Sequence, residues 1–462
     1  MQINVAPQIK IELANIGKLY IAAPLIPMTA PRKPELNNPK TVRAWYTYDW
    51  ANSVYSLVII SVIFPVYFKE VAKNGDSDRV VFLGVSLQNS NLYSYAISFS
   101  FLIVAAILPL LSGVADYSGN KKAFMKFFVW MGALSCMGLF FFTDVSTLWV
   151  AILFSVTASI GYSGSLVFYD AFLPEIVTED RYDDVSARGY SMGYYGSVIM
   201  MVLCLVLIMN YGSLGFTSAG EATRVSFLLV GAWWIGFSVI PFKYLPDNPF
   251  GPGRPGNMWT KGYQEIRNVW KSLREQSVLK RFLAAFFFYN MGVQTVMYLA
   301  ALFGTDVLLL QDDQLILTVL LIQLVGSLGA FLFARLSASR GNRMSLLTMI
   351  CIWIGICVSA FFIQTDYQFY ALAVTVGLVM GGIQSLSRAT YSKLIPRNTI
   401  DHASYYCFYD VTFNLSIVFG TFSYGLINQL TGSMRYSALG LAVYFVIGMA
   451  FLIAIRSKNI SK

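Results

Sequence analysis

Gly119-Asn120-Lys121 recurs 222 positions later as Gly341-Asn342-Arg343, and Tyr169-Asp170-Ala171-Phe172-Leu173-Pro174 recurs at the same offset as Tyr391-Ser392-Lys393-Leu394-Ile395-Pro396. Between these landmarks, Trp130-Met131-Gly132 pairs with Trp353-Ile354-Gly355 after a one-residue slip. Chance supplies one such match. Three in the same order, at nearly one offset, imply a duplicated unit.

The sequence around these landmarks says what the unit is made of. The 462 residues are 56% hydrophobic and only 12% charged, whereas a soluble domain carries roughly 25% charged residues. The apolar residues gather in runs of about 20, the length a helix needs to cross a ~30 Å hydrocarbon core. Twelve spans are expected, at 45–68, 91–115, 123–142, 147–169, 188–209, 223–242, 281–304, 314–336, 344–363, 368–388, 403–429 and 435–455. The fold expected is therefore an all-α integral membrane protein, with twelve transmembrane helices in two parallel six-helix repeats.

Net charge is +9 with a pI near 9.1, yet the placement of the charges argues against nucleic acid as a partner. Of the 33 Lys and Arg residues, 28 fall in the termini and the even-numbered loops and 5 in the odd-numbered loops. Such a bias places both termini in the cytoplasm. The longest internal loop divides the chain into four parts: a cytoplasmic leader at 1–44, a first half at 45–242, a linker at 243–280 and a second half at 281–462. Translation from Met1 and from Met28 are both compatible with the leader. The linker opens on Pro246, Pro249, Pro252 and Pro255. It then places Ile266, Val269, Trp270 and Leu273 on one helical face opposite Lys and Arg, the pattern of a basic amphipathic helix on the inner membrane surface.

Several chemistries find no support. The cysteines, Cys136, Cys204, Cys351, Cys357 and Cys407, lie in or beside apolar runs without metal-ligand spacing, and His402 is the one histidine. No glycine loop followed by Lys-Ser or Lys-Thr suggests an ATP-driven pump. The sequence calls for no metal, no cofactor and no enzymatic activity. The short loops also argue against a signalling receptor, which would want a sizeable extramembrane domain.

The loop after the second span reads Ser112-Gly113-Val114-Ala115-Asp116-Tyr117-Ser118-Gly119-Asn120-Lys121-Lys122. It resembles the signature loop of the major facilitator superfamily, an Asp followed three residues later by Gly and then by basic residues. It departs at Tyr117, where a basic residue is usual, and at Asn120. Together with Tyr48-Asp49-Trp50-Ala51-Asn52-Ser53-Val54-Tyr55 and Ser387-Arg388-Ala389-Thr390-Tyr391, it resembles the vacuole-effluxer-like branch of that superfamily. Fungal autophagy-related amino-acid exporters and many bacterial permeases belong to that branch. The resemblance spans the chain from about residue 40. It implies a secondary carrier, active or facilitative, that works by alternating access between its halves, with amino acids as the solute and efflux as the direction. The same fold would also serve sugars, peptides or amphiphiles.

Polar residues inside the spans are candidates for the solute path, since charge in a bilayer costs about 2.5–3.5 kcal/mol per group. Asp49, Asn52, Ser53 and Ser56 stand at i, i+3, i+4 and i+7 on one stripe of the first span. Asn290, Gln294 and Tyr298 step by four along the seventh. Tyr162 in the fourth span, Gln384 in the tenth and Asn414 in the eleventh complete the expected substrate-binding set. Each of these polar groups is equally able to hold helices together. Asp49, Asp116, Lys121, Asp170, Arg388 and Asp410 are the expected gating or coupling groups, near the inner ends of their spans. A coupling proton would need one of the carboxylates, and neither Asp49 nor Asp410 sits deep in its span. The acidic run Glu175, Glu179, Asp180, Asp183 and Asp184 reads as a solvated surface or as a partner for nearby basic loops. The expected partners are a small-molecule solute and membrane lipid, the expected setting a bacterial inner membrane, and the expected unit a monomer.

Overall fold

A computed structural model describes residues 35–75, 77–247 and 257–455; the Met28 start and most of the leader lie outside them. The described residues form thirteen long helices: α1 Pro39–Val71, α2 Asn89–Ser118, α3 Lys121–Gly138, α4 Leu148–Asp170, α5 Tyr182–Met209, α6 Ala219–Tyr244, α7 Met258–Glu275, α8 Ser277–Leu308, α9 Asp312–Arg340, α10 Asn342–Phe362, α11 Asp366–Leu394, α12 His402–Thr431 and α13 Met434–Ile453. All but α7 match expected spans. Ten are long and apolar enough to cross a membrane. The other two, α8 and α12, have comparable lengths of 32 and 30 residues. A small hairpin, β1 Arg79–Phe82 against β2 Val85–Gln88, fills the first loop.

The repeated Gly-Asn landmarks have a backbone reason. Gly119 closes α2 at φ 67°, and Gly341 separates α9 from α10 at φ 79°. Side chains with a Cβ avoid that region, so glycine ends the second helix of each half and reverses the chain. The first span has an irregular centre: Tyr55–Val62 is wound as a π-helix. The Ser61 hydroxyl donates to the Ser56 carbonyl at 2.9 Å within it. Local widening of this kind re-aims the side chains that follow.

The halves meet along two seams related by the duplication. In one, α5 runs beside α9 and α11; in the other, α12 runs beside α2 and α4. The fifth span thus faces the eighth and the eleventh faces the second, which is how two parallel repeats pack about a pseudo-two-fold axis. Within each half, close packing is aromatic and small-residue in character. Trp353 stacks on Phe445 at 5.4 Å, and Trp234 on Tyr55 at 5.4 Å.

One expectation changes here. The apolar face of α7 does not lie on a membrane surface: Ile266, Val269 and Leu273 are buried against protein, chiefly α2. Trp270 departs from that face; it is 49% exposed and lies beside Phe408 of α12 at 5.4 Å. The apolar stripe is therefore satisfied by helix packing, and α7 touches both halves.

Candidate functional site

The helix ends on the side of the bundle where α1 begins and α13 finishes hold an ion-pair cluster. Arg388 stands near the end of α11, is 2% exposed, and crosses the interface between the halves. Its Nη2 donates to Asp49 Oδ2 at 3.1 Å and its Nη1 to Asp170 Oδ1 at 3.1 Å. Its Nε donates to Ser186 Oγ at 2.9 Å, and Nη2 also to the Ser186 carbonyl at 3.1 Å. The guanidinium carbon lies 4.3 Å from the ring centre of Tyr190, 4.7 Å from Trp45 and 5.7 Å from Tyr169. Every one of these partners belongs to the first half.

The first half holds this arrangement rigidly. Tyr169 donates its hydroxyl to Asp49 Oδ2 at 2.7 Å, Trp45 Nε1 donates to the Tyr169 carbonyl at 3.0 Å, and the two rings stack at 4.6 Å. On α5, Gly189 faces the pair so closely that any Cβ there would strike Asp49 Oδ2 and Arg388 Nη2. Glycine at this position lets the carboxylate and the guanidinium meet. Asp410 is also buried, and its Oδ2 has no hydrogen-bond partner. The expectation that Asp49 and Asp410 sit at shallow positions needs refining. Both are near the ends of their spans, but helix packing leaves them only 5% and 7% exposed.

The two seams are closed by related contacts. Asp116, from the signature loop, accepts the backbone N–H groups of Ala403 at 3.2 Å and Ser404 at 2.7 Å, at the start of α12. A carboxylate on the unsatisfied N–H groups of a helix N-terminus is favoured by hydrogen bonding and by the helix dipole. In the mirrored seam, Asp183 at the start of α5 accepts from Ser337 at 2.9 Å, from Asn342 at 2.8 Å and from Lys393 at 2.8 Å. Lys121 does not cross between halves; it pairs with buried Glu175 of its own half. Glu175 Oε1 in turn lies 2.9 Å from His402 Nδ1 across the seam. Arg397 bonds Glu179 at 2.6 Å at the rim. Two members of the acidic run, Glu175 and Asp183, are therefore buried and paired, as the second of the two expected readings has it: Glu175 with Lys121 of its own half and His402 across the seam, Asp183 with Lys393 of the other half.

The expected substrate-binding residues are more scattered. Asn52 is buried above Asp49, with its Nδ2 unpartnered, while Ser53 packs on Gly193 of α5. Ser56 takes part in the π-wound turn through its carbonyl. Tyr162 packs on Tyr55 and Trp234. Asn290 donates to Ser416 at 2.6 Å and accepts from Gln294 at 3.3 Å, joining α8 to α12. Gln384 accepts from Tyr194 at 2.8 Å across the halves. Asn414 is buried in α12, and the side chain of Tyr298 lies outside the described residues. Trp45, Tyr190, Ser186, Asn342 and Lys393 were not among the expected residues. The last two had a signal, since both stand in the repeated landmarks.

The model of the family described as vacuole effluxer Atg22-like matches residues 37–461. This chain belongs to that family. An uncharacterized MFS-type transporter, YxiO of Bacillus subtilis (strain 168), is 32% identical over 416 residues, covering 89% of this chain and 94% of the relative. Autophagy-related protein 22 of Coccidioides immitis (strain RS) is 24% identical, covering 86% of this chain and 83% of that protein. Among solved structures, the human organic anion transporter MFSD10 aligns with a TM-score of 0.68 at 10% identity, over 90% of this chain and all of that chain. FucP in the outward conformation aligns at 0.67 and 11% identity, over 91% of this chain and 99% of that one. A bacterial homologue of the iron transporter ferroportin in its outward-facing state aligns at 0.61 and 15% identity, over 90% of this chain and 98% of that one. At such identities the likeness is one of fold. The Atg22-like chain is thus a membrane transporter of the major facilitator type and not an enzyme.

Proposed function

We propose that the protein exports amino acids by alternating access, with residues 45–242 and 281–462 as the two rocking halves. The observation that carries this reading is Arg388, a cation of one half held by two buried carboxylates of the other. Such a pair forms only when the inner ends are together and must break when they part. The contacts of Asp116, Asp183 and Glu175 lie at the same end, which supports reading this arrangement as a state closed on the inner side. Asn52, with a free amide donor, and the Asn290–Gln294 pair offer the neutral donors and acceptors that suit a zwitterion. The description of the family as vacuole effluxer Atg22-like supports efflux, and the charge bias of the loops supports cytoplasmic termini in a bacterial inner membrane. A monomer suffices, since the path lies between the halves of one chain. Asp410, with one oxygen unpartnered, is the carboxylate best suited to carry a coupling proton.

The test is a thermal-shift screen of purified protein against amino acids, dipeptides and sugars. A ligand of the folded state raises apparent stability by mass action. An amino-acid shift that disappears in Asn52→Ala with Asn290→Ala supports the reading; a shift with sugars or amphiphiles alone would move the assignment to those solutes.

A further inference from the structure

Arg388 is carried by the second half, but everything that holds it is carried by the first. Two carboxylates, those of Asp49 and Asp170, take its terminal nitrogens, and the faces of Trp45, Tyr169 and Tyr190 stand around its guanidinium. Paired anionic oxygens within aromatic walls make the composition that binds an organic cation. The charge count points the same way. Asp49 and Asp170 face a single guanidinium, and Asp410 interacts electrostatically with Asp170 and Arg388 as well.

We propose that Asp49, Asp170, Trp45, Tyr169 and Tyr190 form an organic-cation site on the first half. Arg388 fills it as a tethered occupant in the state described here, and the ammonium or guanidinium group of the solute fills it when the inner end opens. The inference rests on the carrier reading above and narrows its substrate class. The box is built to outlast the departure of Arg388. Its members sit on α1, α4 and α5 of one half, and Asp49, Tyr169 and Trp45 are tied to one another by hydrogen bonds and stacking. Arg388 leaves with α11. Its withdrawal leaves two neighbouring carboxylates facing each other with no cation between them, and like charges at close range repel. An incoming cation removes that penalty, and a neutral solute does not. Binding would then favour the inner-open state through differential affinity, which is the requirement for coupling a ligand to a conformational change.

The experiment uses the full chain with Arg388→Ala, at pH 7.5, titrated with low-millimolar methylguanidinium, with N-methylurea as the neutral isostere and with NaCl at equal ionic strength. Methylguanidinium alone should raise the melting temperature saturably, by roughly 2–5 °C at large excess over Kd. Adding Asp49→Asn and Asp170→Asn should abolish the rise. Equal effects of NaCl or of N-methylurea would overturn the proposal. If Arg388→Ala does not fold, counterflow by the wild-type protein in proteoliposomes decides. Arginine should compete at least tenfold better than citrulline, and equal competition overturns the site. The two readings fail separately. Uptake of a neutral or anionic solute with no cation effect removes the site and leaves the carrier. Stabilisation by methylguanidinium with no uptake of any solute leaves the site and removes the carrier.

Discussion

Replacing Arg388 by alanine removes the one cation that joins Asp49 and Asp170 across the halves. The wild-type guanidinium makes two ion-paired contacts at 3.1 Å and two hydrogen bonds to Ser186, with all partners buried. Removing one partner of a buried ion pair costs about 3–5 kcal/mol, because the remaining charge is left without compensation. The penalty falls on the state in which these helix ends are closed, where packing keeps the carboxylates dry. It is relieved in a state where the parted ends admit water. At 1.4 kcal/mol per tenfold change, the ratio of closed to open protein should fall by roughly two to three and a half powers of ten. Spin labels on exposed Arg188 of α5 and Ser339 of α9 would read the separation of these ends. The expected result is a longer distance in Arg388→Ala and a partial return when Asp170→Asn is added, since that change removes one stranded charge. An unchanged distance distribution in a folded Arg388→Ala protein would refute the gate, and the cluster would then be structural only.

Gly189→Val should open the same end without altering any charge, because the new side chain would occupy the contact between Asp49 and Arg388; the same spin-label pair reads it. Asp116→Asn should weaken the α2–α12 seam by about 0.5–2 kcal/mol through loss of the charged cap on α12, seen as increased hydrogen exchange at Ala403 and Ser404. Asp183→Ala should act alike on the α5–α9 seam and leave Lys393 without its carboxylate, which faster labelling of Lys393 by an amine reagent would report. Gly262→Leu should push α7 away from α2, since Gly262 lies against Gly113 and Val114; quenching of Trp270 fluorescence by a soluble quencher should then increase.

The span pattern and the duplication were legible in the residues because each is local. A run of about 20 apolar residues must become a helix in lipid to satisfy its own backbone. A glycine at φ 67° or 79° ends a helix wherever it stands. Asp49, Asp116, Asp170 and Arg388 could be singled out individually, since charge within an apolar run is rare and conspicuous. What they bond to was not legible. Arg388 and Asp49 are 339 positions apart, and Asp183 and Asn342 are 159 apart. The register of these pairs depends on how two six-helix bodies dock, and no periodicity within either body encodes it. The acidic run after α4 left its partners open for the same reason, because Asp183 meets Ser337, Asn342 and Lys393, and Glu175 meets His402, only where the other half docks. The amphipathic pattern of α7 correctly marked a helix with one buried face but not what covers that face, since lipid and protein satisfy an apolar stripe equally well. The sequence by itself determined the helices, their number and their pairing into repeats, because backbone hydrogen bonding and hydrophobic burial act over neighbouring residues. Only the tertiary structure decided which charges meet, because a buried ion pair is set by side chains that approach from opposite halves of the molecule.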